Sequence, residues 1–160
     1  MDSITYRPIG IISTPFKNKA GMPIQPSGAI GVRGTIKISA DYIAGLKDLE
    51  GFSHVILIYH FHLSKDYTLI VTPFLDDQPH GVFATRAPER PNSIGLSVVK
   101  LNAVKGDNLD IENVDIIDGT PLLDIKPYVP KFDAQVKVET GWLGKVDKRV
   151  QKTKSDLRFT

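Results

Sequence analysis

Apolar and polar residues alternate along much of this chain, most clearly in SHVILIYHFHL, Ser53 to Leu63. On a strand, Val55, Leu57, Tyr59 and Phe61 share one face, with Ile56, Ile58, His60 and His62 on the other. The second face changes from aliphatic to imidazole as the run ends, which predicts an opening onto a polar cavity or an interface. Weaker period-2 runs predict strands at 9–12, 30–38, 67–72, 81–84, 94–103, 109–117 and 122–125. Ile30, Val32, Thr35, Ile36 and Ile38 have the β-branched side chains that suit a pleated surface. SADYIAGLKDLEG is the one segment with helical spacing: Ser39 as cap, Ile43, Leu46 and Leu49 apolar, Gly51 as terminator.

Many short strands and a single short helix predict an all-β fold, either a sandwich or a closed or nearly closed barrel of mostly antiparallel strands. Closure would remove the exposed edges that so many strands otherwise leave. At 160 residues, with 41% hydrophobic and 24% charged, the chain has the dimensions of one ordinary globular domain. Residues 1–144 are expected to form it, with 145–160 as a basic tail. From Lys145 to Arg158 six bases stand against two acids, within a net charge of only +2. Such a tail suits phosphate contacts with RNA, and equally a solvated terminus. Zero cysteines exclude disulfides and thiolate catalysis and fit a cytoplasmic location. No run of 18 apolar residues suggests a membrane span, and MDSITYRPIG lacks the pattern of a signal peptide.

Three stretches could carry chemistry. In FATRAPERPNSIGLSVVKL, Phe83 to Leu101, Pro88 and Pro91 stiffen a loop holding Arg86 and Arg90. A pre-positioned guanidinium binds carboxylate or phosphate well, although pairing with surface acids explains the composition too. DGTPLLDIKPYVP, Asp118 to Pro130, opens on a turn and continues as an edge-like strand with Asp124, Lys126 and Tyr128 on one face. A decorated hairpin and a polar ligand site both fit it. GMPIQPSGAIG, Gly21 to Gly31, is a loop that lacks GxGxxG and runs into a strand, so it is no dinucleotide-type phosphate cradle. His60 and His62 have HxH spacing without an accompanying carboxylate cluster, which favours hydrogen bonding over metal ligation. No GxSxG motif occurs.

Taken together, FATRAPERPNSIGLSVVKL, GFSHVILIYHFH and DGTPLLDIKPYVP resemble, in order, three blocks of the TsaA-like, S-adenosylmethionine-dependent tRNA methyltransferases. The resemblance runs from about Tyr6 to about Trp142. It departs at Ser93, where the family often has proline. The resemblance implies a β-barrel unlike the Rossmann methyltransferases, and methyl transfer to N6 of a threonylcarbamoylated adenosine beside the anticodon. It places S-adenosylmethionine near Pro26, Ser27 and Gly28; His62 and Leu63; Arg86 and Leu96; and Asp118, Gly119, Thr120 and Pro121. It also implies a homodimer. Within that frame Arg86 and Arg90 are expected to face acidic groups of cofactor or tRNA, and Asp118 is a candidate proton acceptor. A barrel that binds RNA or S-adenosylmethionine without transferring methyl is the alternative.

Overall fold

A computed structural model describes residues 3–18, 20–145 and 154–156. Six strands close into a barrel: β1 (Gly10–Ser13), β2 (Arg33–Ile38), β3 (His54–His60), β6 (Ile94–Lys105), β7 (Asn108–Glu112) and β8 (Thr120–Pro127). The order around it is β1-β2-β7-β6-β3-β8, with β8 pairing back to β1. Every adjacent pair is antiparallel. The expected closed barrel is therefore the one observed. Two further strands, β4 (Ile70–Val71) and β5 (His80–Gly81), form a separate small sheet.

The alternation read from the sequence sets which way the barrel strands face. Along β3, Val55, Leu57 and Tyr59 are buried inward, and on β2 Ile36 and Ile38 do the same. They meet Ile12, Val99, Leu109 and Leu122 in one core. Burying each such side chain contributes about 1.5–3 kcal/mol. β6 and β7 are joined through Gly106 and Asp107, with Lys105 opposite Asn108. Gly106 has φ of 62°, as the first central residue of a two-residue hairpin turn requires.

Several boundaries differ from expectation, each for a local reason. The segment after Ser39 forms two 3₁₀ turns, Ala40–Leu46 and Leu49–Gly51, not an α-helix. The first ends at Lys47, whose ψ of 130° leaves the helical region, Asp48 before the second is left-handed (φ 67°), and Ser39 makes no side-chain cap. Among the described residues the α-helix is α1, Pro130–Asp133. β7 stops at Glu112 because Asn113 has φ of 64° and donates its amide to Val32. Residues 30–32 precede β2, Ile70–Val71 alone of 67–72 is paired, and Val82–Ala84 is a 3₁₀ turn. Of the basic tail, Lys148, Arg149, Lys152 and Arg158 lie outside the described residues. Lys154 to Asp156 are described and lie against the loop at Gly21–Pro23: the Ser155 amide donates to the Met22 carbonyl, its Oγ accepts from the Met22 amide and its carbonyl accepts from Gly21.

Candidate active site

At the end of the barrel where β3 finishes, several loops enclose a cleft of about 1130 Å³. Each wall has an identifiable support. Gln25 precedes a 3₁₀ turn at Pro26–Gly28, closed by bonds from Gly28 N to Gln25 O (2.9 Å) and Ala29 N to Pro26 O (2.9 Å). The arginine loop rests on a small apolar cluster of Val71, Val82 and Ala87, with Phe74 packed against it. Ser64 Oγ ties the end of the histidine strand to the Pro88 carbonyl at 3.1 Å.

The two arginines do different things. Arg90 turns back on its own loop, its Nη1 donating to the carbonyls of Thr85 (3.1 Å) and Ala87 (3.3 Å). That leaves Arg86, whose Nη1 reaches Gln25 Oε1 at 3.4 Å and bridges two walls of the cleft. Both line the cleft.

Most of the other positions named from the sequence converge here. Pro26, Ser27, His62, Leu63, Leu96 and Thr120 line the same cleft. Gly28, Asp118, Gly119 and Pro121 are not among its lining residues. Asp118 instead borders a second recess, its carboxylate receiving Lys17 Nζ and, at 2.9 Å, the Thr14 amide. Those two bonds, Lys17 first, hold its carboxyl below the ordinary value. His60 and His62 do not share a strand face, because β3 ends at His60. His60 Nδ1 contacts the Ser93 carbonyl at 3.2 Å, and His62 Nδ1 lies 3.4 Å from Thr120 Oγ1. Burial, then the neighbouring His60, lowers the His62 pKa, so the ring is neutral near pH 7. Among the described residues no group of three metal-ligating side chains comes together.

The sequence reading missed the floor of the cleft. Tyr59 Oη lies 3.0 Å from Ser97 Oγ, and Ser97 Oγ donates to Asp115 Oδ1 at 2.7 Å. Since the serine has a single proton, the tyrosine must be the donor in the first bond. Tyr59 and Asp115 both line the cleft. Burial, with Asp115 nearby, pushes the Tyr59 phenol well above its ordinary value, so it stays protonated. Burial also pushes the Asp115 carboxyl up to about 6, against the bond from Ser97 and the more distant Arg86. A signal for this existed. Ser97 occupies an inward position of β6, where a hydroxyl needs a partner, and Asp115 stands between the buried Val114 and Ile116.

Because folding raises the Asp115 pKa above 3.8, the ionised carboxylate is the form that folding disfavours. The cost is absent below about pH 4, where both states hold the proton, and complete once pH exceeds about 6. Asp115→Asn is expected to stabilise the protein by about 1–2 kcal/mol at pH 8 and to have little effect at pH 3.5. Urea unfolding at the two pH values measures this.

The cleft's outer edge is held by the segment after α1. Trp142 stacks on His80 (centroids 4.5 Å apart, planes 17°), and its Nε1 donates to the Ala84 carbonyl at 2.9 Å. His80 Nε2 in turn meets Asp76 Oδ2 at 2.9 Å. That imidazole bond, above all, holds the Asp76 carboxyl down to about 2.

Residues 11–134 match the model of the tRNA-methyltransferase O N-terminal domain. The chain belongs to that family. It is 55% identical to the "Probable S-adenosyl-L-methionine-binding protein" of Pyrococcus abyssi over 98% of this chain and 85% of that one. It is 40% identical to the tRNA (adenine(37)-N6)-methyltransferase of Mus musculus, over 82% of this chain and 32% of that one. The crystal structure of TrmO from Pseudomonas aeruginosa superposes with a TM-score of 0.75 at 38% identity, covering 88% of this chain and 63% of that one. The mouse and Pseudomonas proteins thus extend well beyond the shared barrel.

Proposed function

We propose that this member of the TrmO family is an S-adenosylmethionine-dependent tRNA methyltransferase acting on N6 of adenine, with the cleft at the end of β3 as its active site. The observation that carries the reading is convergence. Segments distant in sequence, Gln25–Ser27, His62–Leu63, Arg86, Asp115–Ile117 and Thr120, border one cavity. Its volume of about 1130 Å³ lies just above the ~300–1,000 Å³ usual for small-molecule sites. Its residues suit the donor: Arg86 for the carboxylate, Leu63 and Leu96 for the apolar adenine, and Ser27 with the backbone of its turn for ribose hydroxyls. When bound, that donor supplies a methyl group on a positively charged sulfur.

The chain's own residues supply position and electrostatics. Transfer needs the accepting nitrogen in line with the sulfur–methyl bond, so fixed walls account for much of the acceleration. Arg90 stiffens the arginine loop from within, which reduces the ordering cost of binding. Arg86 faces an acidic group of donor or tRNA rather than the sulfonium, where a second cation would oppose binding.

In finer detail, the substrate is the threonylcarbamoylated adenosine beside the anticodon. The working form is a cytoplasmic homodimer. Exposed Leu63, Phe83, Ile94 and Leu96 at the cleft's border offer the second copy an apolar surface. Among the described residues no helix is long and apolar enough to cross a membrane.

The test is a mass-spectrometric comparison of tRNA nucleosides before and after incubation with protein and S-adenosylmethionine. The reading predicts a mass gain of one methyl on the modified adenosine. Retention of the donor with no methylated base would make the chain a binding module.

A further inference from the structure

The methyl-transfer reading leaves one requirement unassigned: N6 must lose a proton, and a group in the cleft must take it. We infer that Asp115 is that acceptor, with Ser97 and Tyr59 as the residues that position its carboxylate; the inference rests on the reading above.

Geometry favours Asp115 over Asp118. The Asp118 carboxylate is engaged by Lys17 and the Thr14 amide at the other recess. Asp115 lines the cleft itself. Its Oδ1 accepts from Ser97 at 2.7 Å, and among the described residues no cation forms an ion pair with it. Hydrogen bonds run one way along the chain, from Tyr59 to Ser97 to Asp115, and the residue's own amide also bonds to the carboxylate, which is thus held with lone pairs still left to receive a proton. The tyrosine is fixed in turn, edge-on to Phe61 with ring centroids 5.4 Å apart and opposite Gly95 in the sheet. This is the arrangement of an acceptor oriented by a second group and anchored by a third.

The step balances. The N6 lone pair forms the bond to the methyl carbon, the carbon–sulfur bond breaks with its electron pair left on sulfur, and the N6 proton passes to Asp115. A sulfonium and a carboxylate are both neutralised, and the acid later returns its proton to solvent. A carboxyl titrating near 6 is mostly ionised at neutral pH yet more basic than an ordinary aspartate. The groups bearing on it are Ser97 of β6, its own backbone amide, Arg86 of the arginine loop and Tyr59 of β3. His62 lines the same cleft.

Asp115→Asn, Ser97→Ala and Asp118→Asn would be compared with the wild type. Readouts are S-adenosylmethionine affinity by calorimetry, single-turnover transfer to tRNA bearing threonylcarbamoyladenosine, and the Asp115 carboxyl titration by ¹³C NMR. Asp115→Asn is expected to lose about 100-fold or more in transfer while keeping donor affinity within about twofold. Wild-type transfer should rise with pH through about 6, matching the NMR titration. Ser97→Ala removes a bond that lowers the Asp115 pKa, so both inflections should move upward together. That shift is read without the Asp115→Asn variant and tests the assignment independently of it.

Wild-type transfer by Asp115→Asn would overturn the assignment. Equal losses of affinity and transfer would make Asp115 a donor contact instead. A loss confined to Asp118→Asn would return the role to Asp118. If the wild-type control itself transferred no methyl to this tRNA, the underlying functional reading would fail first, whatever the variants did.

Discussion

Arg86→Ala is expected to lower methyl transfer by ~10- to 150-fold. That range corresponds to the about 1.5–3 kcal/mol contributed by a hydrogen bond to a charged group. Of the two arginines lining the cleft, Arg86 makes only the long contact to Gln25, whereas Arg90 Nη1 is bonded twice within its own loop. Two effects combine. The guanidinium's bridge to Gln25 is lost, loosening the facing turn, and the cation that helps keep Asp115 ionised disappears. The pH dependence of the variant should therefore shift upward, as removal of a favourable charge raises a carboxyl pKa. Arg86→Lys should restore the pH dependence more than the affinity, because lysine supplies charge without the planar fork. Where the loss falls identifies the partner. Weaker S-adenosylmethionine binding points to the donor's carboxylate, and a raised Michaelis constant for tRNA points to the nucleic acid. Calorimetry with the donor alone, followed by steady-state kinetics in tRNA, distinguishes these; unchanged values in both would remove Arg86 from the site.

Gly95→Ala should damage the site more than it destabilises the fold. Gly95 sits opposite Tyr59 across the β3–β6 ladder, and a Cβ there would fall 2.2 Å from the Tyr59 ring and 2.8 Å from that of Phe61. The Tyr59 ring cannot withdraw easily, because it is buried and hydrogen-bonded to Ser97. Overpacking of this kind costs about 1–3 kcal/mol. Its functional effect should be larger than its effect on stability, since moving Tyr59 breaks the chain of bonds that orients Asp115. Chemical denaturation and single-turnover transfer on the same preparation measure the two. Equal stability and activity to the wild type would mean that the tight approach of Gly95 to Tyr59 has no role.

Much of the barrel was legible in the chain because period-2 alternation maps directly onto inside and outside. The strand Ser53–Leu63 was placed nearly correctly for that reason. The segment after Ser39 was misread because Ile43, Leu46 and Leu49 are spaced by threes. That spacing fits a three-residue turn as well as an α-helix, and the break at Lys47 and Asp48 keeps Leu49 in a separate turn. Site residues followed the same division. Arg86, His62 and the Pro26–Ser27 turn stood out through stiff loops and recognisable blocks. Asp115 did not, because buried Val114 and Ile116 on either side make it read as an outward position, and its partner Ser97 lies on a different strand. Asp118 attracted attention through its Asp-Gly turn, yet its carboxylate turns to Lys17, a contact between residues too distant in sequence for local pattern to reveal.

The central claim is that the cleft at the end of β3 holds the methyl donor. Amide NMR of the protein titrated with S-adenosylmethionine tests it most directly. Saturable shifts centred on Ser27, His62, Arg86, Leu96 and Thr120 are the predicted result. Shifts centred instead on Thr14, Lys17 and Arg33 at the second recess, or none at all, would contradict it.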